Sequence, residues 1–377
     1  MSRPIAVFDA TPLALGERNG VARFAREVLS RVHARGSFEW VVAAPRAFAE
    51  GLPRGLALEA GEEVGASSPF LWRRTALRRI LRGRGAGVLF SPVAALPFGR
   101  IPCPAVATVH DVPWARRSEV PRADVSLRKR LSLSHTVRCA ARIVVPSEAT
   151  RRDLVALLPR AGGRVRVVPL GVSDAFRAEP VPVEEARRAR RRLGVPDGPY
   201  ILGLGLLRGR KSPEFLLDVL AAALLGPDER LVLVMTGDAA IDRDALLDRA
   251  TSRGLAGRLV ATGHVPDEDL ATLLDGAVAL AVPSALEGFG LPAVEAMARG
   301  VPVLASDRGA LPEVVGDAGI VLPFGETAAW AGELRDLLRD EKKRRALGEK
   351  GRARAARYDW NETADGVLAA IEEALRA

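Results

Sequence analysis

Six short apolar runs in the first half of the chain and five in the second alternate with stretches of helical spacing, which constrains the fold to parallel α/β sheets. The first series is IAVFDA (5–10), WVVAAP (40–45), GVLFSP (87–92), AVATVHD (105–111), RIVVPS (142–147) and VRVVPLGV (165–172). The second is YILGLGLL (200–207), LVLVMTG (231–237), RLVATGHV (258–265), VALAVPS (278–284) and VPVLASD (301–307). Helices are predicted between them: one over 20–34, where VARFAREVLSRV places apolar residues at helical spacing, and others over 213–225, 267–275, 292–299 and 327–347.

A chain of 377 residues suits two domains better than one. The polar stretch 174–199, with four prolines and a basic helix, reads as the linker and entry to the second domain. The expected architecture is therefore two facing Rossmann-like domains with a deep cleft between them. Ligands would bind at the carboxyl ends of the strands.

Composition excludes several classes. Hydrophobic residues make up 48% and charged residues 27%, as in soluble globular proteins, and no run of about 18 apolar residues occurs. The two cysteines, Cys103 and Cys139, have no metal spacing, which makes a reducing, cytoplasmic setting the default. The opening MSRPIAVFDATP runs almost directly into a strand, leaving no room for a secretory signal. Charge is uneven: residues 1–173 carry 28 Lys and Arg against 13 Asp and Glu, a net +15, whereas 174–377 carry 27 against 33, a net −6. The basic half is expected to face something anionic, such as a phosphorylated acceptor or a membrane surface. Nucleic acid is not expected, because no binding motif or aromatic platform accompanies the charge. Within SPFLWRRTALRRILRGRG (68–85), Trp72, Leu77, Ile80 and Leu81 can line one side of a helix ringed by Arg73, Arg74, Arg78, Arg79 and Arg82. That composition suits a helix lying on an anionic membrane; the alternative is a surface helix whose apolar stripe enters the core. RRARRR (187–192) reads as a solvated helix face.

The segment VPSALEGFGLPAVEAMARGVPVLASDRGALPEVVG (282–316) carries the chemistry. A strand ends at Ser-Ala-Leu-Glu, a loop Gly288-Phe289-Gly290 follows, and a helix begins with Pro292 at or near its first position. Loop N–H groups and the helix dipole suit a diphosphate. Glu287 before the loop and Glu295 in the helix's first turn can each accept from paired sugar hydroxyls, which fits a phosphate flanked by sugars.

This segment resembles the nucleotide-sugar signature of glycosyltransferase family 4, whose members have two facing Rossmann-like lobes, the GT-B fold. The resemblance extends over nearly the whole chain: DATPLALGERNGVARFAREVL at the N-terminus, TVHDVPW (108–114), VVPSEATRRDL (144–154), ILGLGLLRGRKSPEFLL (201–217) and GHVPDEDLATLL (263–274) each resemble a family segment. The pattern is most similar to bacterial mannosyltransferases that build O-antigen or exopolysaccharide chains. The resemblance implies an N-terminal acceptor-binding domain (1–173), a C-terminal nucleotide-sugar domain (174–357) and a final helix (358–377) packing back on the first. It implies a retaining hexosyl transfer, mannosyl favoured, from a nucleotide-diphosphate sugar to a glycan or lipid-linked acceptor; a UDP-hexose transferase, or a non-catalytic sugar-nucleotide or glycan-binding protein, is the alternative. Arg210 and Lys211 would neutralise the leaving diphosphate, as the chemistry demands when charge develops on the β-phosphate. Neither segment assigned to the diphosphate, 201–217 or 282–316, has an Asp-x-Asp that would hold a metal there, so no metal is expected. Glu287 would take the transferred sugar, Glu295 the ribose, and the N–H groups of Phe289, Gly290 and Leu291 phosphate or sugar. Gly20 would lie at the cleft. Asp267 would reach the base, and a carboxylate there suits guanine, favouring GDP-mannose over UDP-sugars. His110 would hydrogen-bond a sugar hydroxyl or the acceptor. With lipid-linked acceptors, reversible attachment to the inner face of the cytoplasmic membrane is expected through Trp72, Arg73, Arg74, Arg78 and Arg79. GLLRGRKS departs from a Walker A loop, because Arg210 separates Gly209 from Lys211.

Overall fold

A computed structural model of the chain describes residues 3–16, 19–48, 52–53, 55–60, 68–113, 127–204, 209–224, 231–237 and 243–377. Contacts divide it into two units: the described residues up to 113, 127–171 and Asp359–Ala377 form the first, and Val172–Tyr358 form the second.

In the first unit seven strands, β1 (Ile5–Asp9), β2 (Glu39–Ala44), β3 (Ala57–Ala60), β4 (Val88–Ser91), β5 (Ala105–Thr108), β6 (Arg142–Val145) and β7 (Val165–Val167), form one parallel sheet in the order β3-β2-β1-β4-β5-β6-β7. The second unit repeats the plan with β8 (Tyr200–Leu204), β9 (Val232–Thr236), β10 (Leu259–Gly263), β11 (Ala279–Val282), β12 (Val303–Ser306) and β13 (Ile320–Leu322), in the order β10-β9-β8-β11-β12-β13. Each sheet reverses its winding once, between β1 and β4 and between β8 and β11. Open parallel sheets bind ligands at the carboxyl ends beside such a reversal.

All eleven apolar runs contain strands. The two strands that sequence reasoning missed, β3 and β13, are edge strands of four and three residues. β3, Ala-Leu-Glu-Ala, is interrupted by Glu59, and β13, Ile-Val-Leu, is apolar but only three residues long, too short to show a period. The predicted helix 327–347 is two, Thr327–Arg339 and Glu341–Ala355, because Asp340 leaves helical geometry and caps the second helix by accepting from the Lys343 N–H at 2.8 Å.

The final helix, Trp360–Arg376, belongs to the first unit. Trp360 is fully buried with its ring 6.4 Å from that of Phe24, and Glu373 accepts from Arg142 and Arg166 at the sheet's edge. Burial of its apolar face against Gly20–Arg35 and the β4–β6 strands holds it there.

Of the two readings of the segment 68–85, the structure shows the second: the apolar stripe enters the core. Pro69–Trp72 continues through a π-helical turn, Arg73–Leu77, into Arg78–Gly83. Trp72 is 1% exposed and joins Leu77 and Leu81 in the core of the first unit. Arg73 is also buried, and its Nε donates to Oδ2 of the fully buried Asp9 at 2.6 Å. Neither residue is available to a membrane. An isolated buried carboxylate is costly, and Arg73 turns inward because Asp9 needs a cation. The π turn begins at Arg73 itself, a rare single-turn insertion within an otherwise α-helical segment. Arg74, Arg79 and Arg82 stay on the outer side and line an open recess of about 520 Å³ together with Arg78, which is half-buried and donates to the Phe98 carbonyl at 3.4 Å. Among the described residues no helix is long and apolar enough to cross a membrane.

Candidate donor site

The reversal of the second sheet gathers the predicted site. Residues 205–208, just past β8, lie outside the described residues, so that part of the phosphate loop, like Trp114 of TVHDVPW, is not placed. The loop resumes as a single 3₁₀ turn, Gly209–Lys211, which brings Lys211 beside the turn that follows β11. The Lys211 Nζ donates to Glu287 Oε1 at 2.5 Å, and the Arg210 carbonyl accepts from the Ala285 N–H at 2.7 Å. Ser212 follows with φ +50°, the only non-glycine among the described residues in left-handed backbone. Such strain persists where surrounding structure over-determines it.

Glu287 is 7% exposed and Glu295 is 3% exposed. Burial alone would push the Glu287 carboxyl up. The Lys211 and Arg210 charges, with hydrogen bonds from Lys211 and Ser284, outweigh it and hold the group below its usual range. Glu287 is therefore a carboxylate at neutral pH.

The helix Leu291–Ala298 starts at Gly290, whose φ of +103° is open only to glycine without strain. A side chain there would also meet Leu311 at 2.8 Å. Pro292 occupies the helix's second position, and Glu295 is the fifth residue, one residue further in than the predicted start at 292 placed it. The N–H groups of Phe289, Gly290 and Leu291 have no acceptor among the described residues, although Phe289 and Gly290 are buried. Three successive free donors at a helix N-terminus form an anion-receiving cradle. Phe289 is fixed edge-on against Tyr358, ring centroids 5.3 Å apart. Asp267, half-buried, opens the helix Asp267–Asp275 two elements away in the same unit. Among the described residues no group of three His, Cys, Asp or Glu side chains is placed to hold a metal.

Sequence reasoning missed the support beneath Glu287. Its carbonyl accepts from the Ala310 N–H at 2.9 Å, and Gly309 passes so close that a Cβ would lie 2.4 Å from the same carbonyl oxygen. The DRGALPE stretch (307–313), already quoted for its position after a strand, was the available signal.

In the first unit, Asp9, Ser91 and His110 end or follow β1, β4 and β5. Asp9 accepts from the Thr11 N–H and hydroxyl as well as from Arg73, so it is fully satisfied. The half-buried His110 packs edge-on against Phe24 at 5.0 Å, and its Nε2 lies 2.9 Å from the Pro92 carbonyl. A carbonyl only accepts, so Nε2 carries the proton and Nδ1 the lone pair. Burial lowers the imidazole pKa, against opposing contributions from Pro92 and Asp111, so the ring is neutral at pH 7. Gly20 is exposed at the start of the helix Gly20–Arg35, whose first N–H groups are capped by Asn19.

Two family models cover the chain: Glycosyltransferase Family 4 matches residues 18–176, and Glycosyl transferases group 1 matches 185–354. The Escherichia coli O-antigen chain mannosyltransferase B is 30% identical over 259 residues, 68% of this chain and 67% of that protein. The chain belongs to glycosyltransferase family 4. A second relative, the D-inositol 3-phosphate glycosyltransferase of Nocardia farcinica, is 32% identical over 282 residues, 72% of this chain; the match spans 62% of that relative's length. The family's GT-B fold is also shared with solved structures. Sucrose-phosphate synthase from Thermosynechococcus elongatus superposes with a TM-score of 0.77 at 19% identity, covering 98% of both chains. Anabaena HepE in complex with UDP and glucose gives 0.77 at 18%, covering 98% of this chain and all of its own.

Proposed function

We propose that the protein is a retaining hexosyltransferase, moving a hexosyl group from a nucleotide-diphosphate sugar to a glycan or lipid-linked acceptor in cell-surface polysaccharide synthesis. The observation that carries this is the Glu287 carboxylate, ion-paired with Lys211, beside three buried or half-buried N–H groups that have no acceptor among the described residues, all at one sheet reversal. Free donors and fixed cations next to a structured carboxylate suit a diphosphate esterified to a sugar. In this reading the N–H groups of Phe289, Gly290 and Leu291 bind the diphosphate, and Arg210 and Lys211 stabilise the charge that develops as the glycosidic bond breaks. Glu287 accepts from hydroxyls of the transferred sugar and Glu295 from those of the ribose. Asp267 reads the base. His110 Nδ1 accepts from a sugar or acceptor hydroxyl.

No protein base is required. The acceptor oxygen attacks on the face from which the diphosphate leaves, and a leaving phosphate oxygen takes the acceptor proton. Catalysis is then positioning and charge stabilisation. The cations do the work a metal would do, so activity is expected to survive EDTA. A mannosyl group from GDP-mannose is favoured by the carboxylate at Asp267 and by the named activity of the E. coli relative. UDP-hexose is the second reading, favoured by the UDP and glucose held by HepE. Relatives named for D-inositol 3-phosphate extend the acceptor class to phosphorylated alcohols. The exposed arginines Arg74, Arg79 and Arg82, with the half-buried Arg78 beside them, suit reversible attachment to an anionic membrane.

Calorimetric titration with GDP-mannose, UDP-glucose and ADP-glucose tests the reading, followed by product analysis with the one that binds. Saturable binding of one nucleotide class, lost in Glu295→Ala, is expected. No binding of any of the three would overturn it.

A further inference from the structure

The carboxylate of Glu287 is held from one side only. Ser284 Oγ donates to Oε1 at 2.7 Å, and Lys211 Nζ donates to the same oxygen at 2.5 Å. Among the described residues no donor reaches Oε2. Ser284 is itself fixed. It is 1% exposed, and its carbonyl accepts from the fully buried hydroxyl of Ser306 at 2.6 Å. Ser306 ends β12, the strand next to β11, so two neighbouring strands converge on one carboxylate oxygen. A buried carboxylate with one saturated oxygen and one open oxygen lacks part of the solvation that water gave it, and a ligand hydroxyl is the natural donor to complete it.

We propose that Ser284, braced by Ser306, is a positioning residue that fixes the Glu287 carboxylate through Oε1 and thereby reserves Oε2 for a hydroxyl of the transferred sugar. The inference rests on the donor-site reading above and adds which oxygen meets the sugar and what aims it. A serine is suited to this task. Its hydroxyl has one rotatable donor, and the short side chain costs little entropy to fix. The lowered Glu287 pKa, to which the Ser284 hydrogen bond contributes along with the two cations, agrees with this arrangement.

The test compares a sugar nucleotide with its sugar-free nucleotide. Titrations of GDP-mannose and GDP, and in parallel UDP-glucose and UDP, are run on the wild type, Ser284→Ala and Ser284→Thr, with thermal melts as the check on folding. Loss of a hydrogen bond to a charged group predicts roughly tenfold weaker binding of the sugar nucleotide by Ser284→Ala. Affinity for the sugar-free nucleotide should not change, and Ser284→Thr should recover most of the loss because it keeps the hydroxyl. In the transfer assay the acid limb of kcat/KM should move to higher pH in Ser284→Ala, since a donor that favours the carboxylate has gone. Equal weakening of both ligands would show a structural role only and overturn the proposal, as would no change in either. A wild type that binds none of the four nucleotides removes the donor-site reading itself, and the inference falls with it.

Discussion

Replacing Lys211 by methionine removes the cation from a carboxylate that is nearly enclosed: the Lys211 and Glu287 side chains are 17% and 9% exposed. Breaking a buried pair by removing one partner typically costs about 3–5 kcal/mol. Arg210 still acts on Glu287 and Ser284 still donates to it, so about 2–3 kcal/mol is expected here at pH 7. Glu287→Gln leaves a lysine that can turn toward solvent and should cost about 1 kcal/mol. The double variant should cost less than the sum, with a coupling of about 1.5 kcal/mol in a double-mutant cycle. The pH dependence has a defined sign. In the wild type the Glu287 pKa lies below the ordinary glutamate value of about 4.5, so its contribution is complete above that value and is lost as pH falls through the folded-state pKa. In Lys211→Met the largest influence left is burial, which raises the pKa, so the variant gains stability relative to the wild type as the carboxylate protonates. The destabilisation should therefore shrink between neutral and acid pH. Urea unfolding followed by circular dichroism at several pH values measures both effects. Additivity within about 0.5 kcal/mol, or a cost that does not vary with pH, would refute the account of the pair.

Four further outcomes follow from the same structure. The His110 imidazole should titrate below 6.5 with its proton on Nε2, which nitrogen-15 chemical shifts would report; because the folded state resists protonation, this residue should make folding less favourable as pH falls through 6.5. Gly309→Ala forces a Cβ to 2.4 Å from the Glu287 carbonyl at a φ of +60° and should destabilise by at least about 2 kcal/mol while weakening sugar-nucleotide binding, a pairing visible in melts and titrations together. Trp360→Ala should cost about 3–5 kcal/mol in urea unfolding, because the indole is fully buried. Substituting Arg74, Arg79 and Arg82 by Gln should reduce sedimentation with vesicles rich in anionic lipid and leave the melting temperature nearly unchanged, since all three are exposed; unaltered vesicle binding would remove those arginines from the membrane surface.

Much of the fold was legible because buried parallel strands must be apolar along their length, and eleven of them announced themselves. β3 did not because Glu59 interrupts it, and β13 did not because three apolar residues, Ile320–Leu322, are too few to show a period. The paired glutamates were legible from the Gly-Phe-Gly-Leu-Pro insert. Their immediate partners were not: Ser284, Ser306 and Gly309 are small residues of kinds found in any loop, and only the parallel register of β11 with β12 brings them beneath Glu287. The helix 68–85 misled for a related reason. Its pattern showed an apolar stripe ringed by arginines, but nothing local distinguishes an arginine facing water from one facing Asp9, 64 residues earlier.

The return of Trp360–Arg376 to the first unit bears on how the chain is made. On the ribosome the first unit's strands are complete by residue 167, yet the helix that covers Phe24 and the β4–β6 strands emerges roughly 190 residues later. At about 5–20 residues per second, that apolar surface waits about 10–40 s for its last cover. The second unit has all its residues before then and can fold in the interval. Chaperone dependence should therefore concentrate on the first unit, and a stop codon that removes only the last helix should leave a nascent protein with one finished half and one that aggregates.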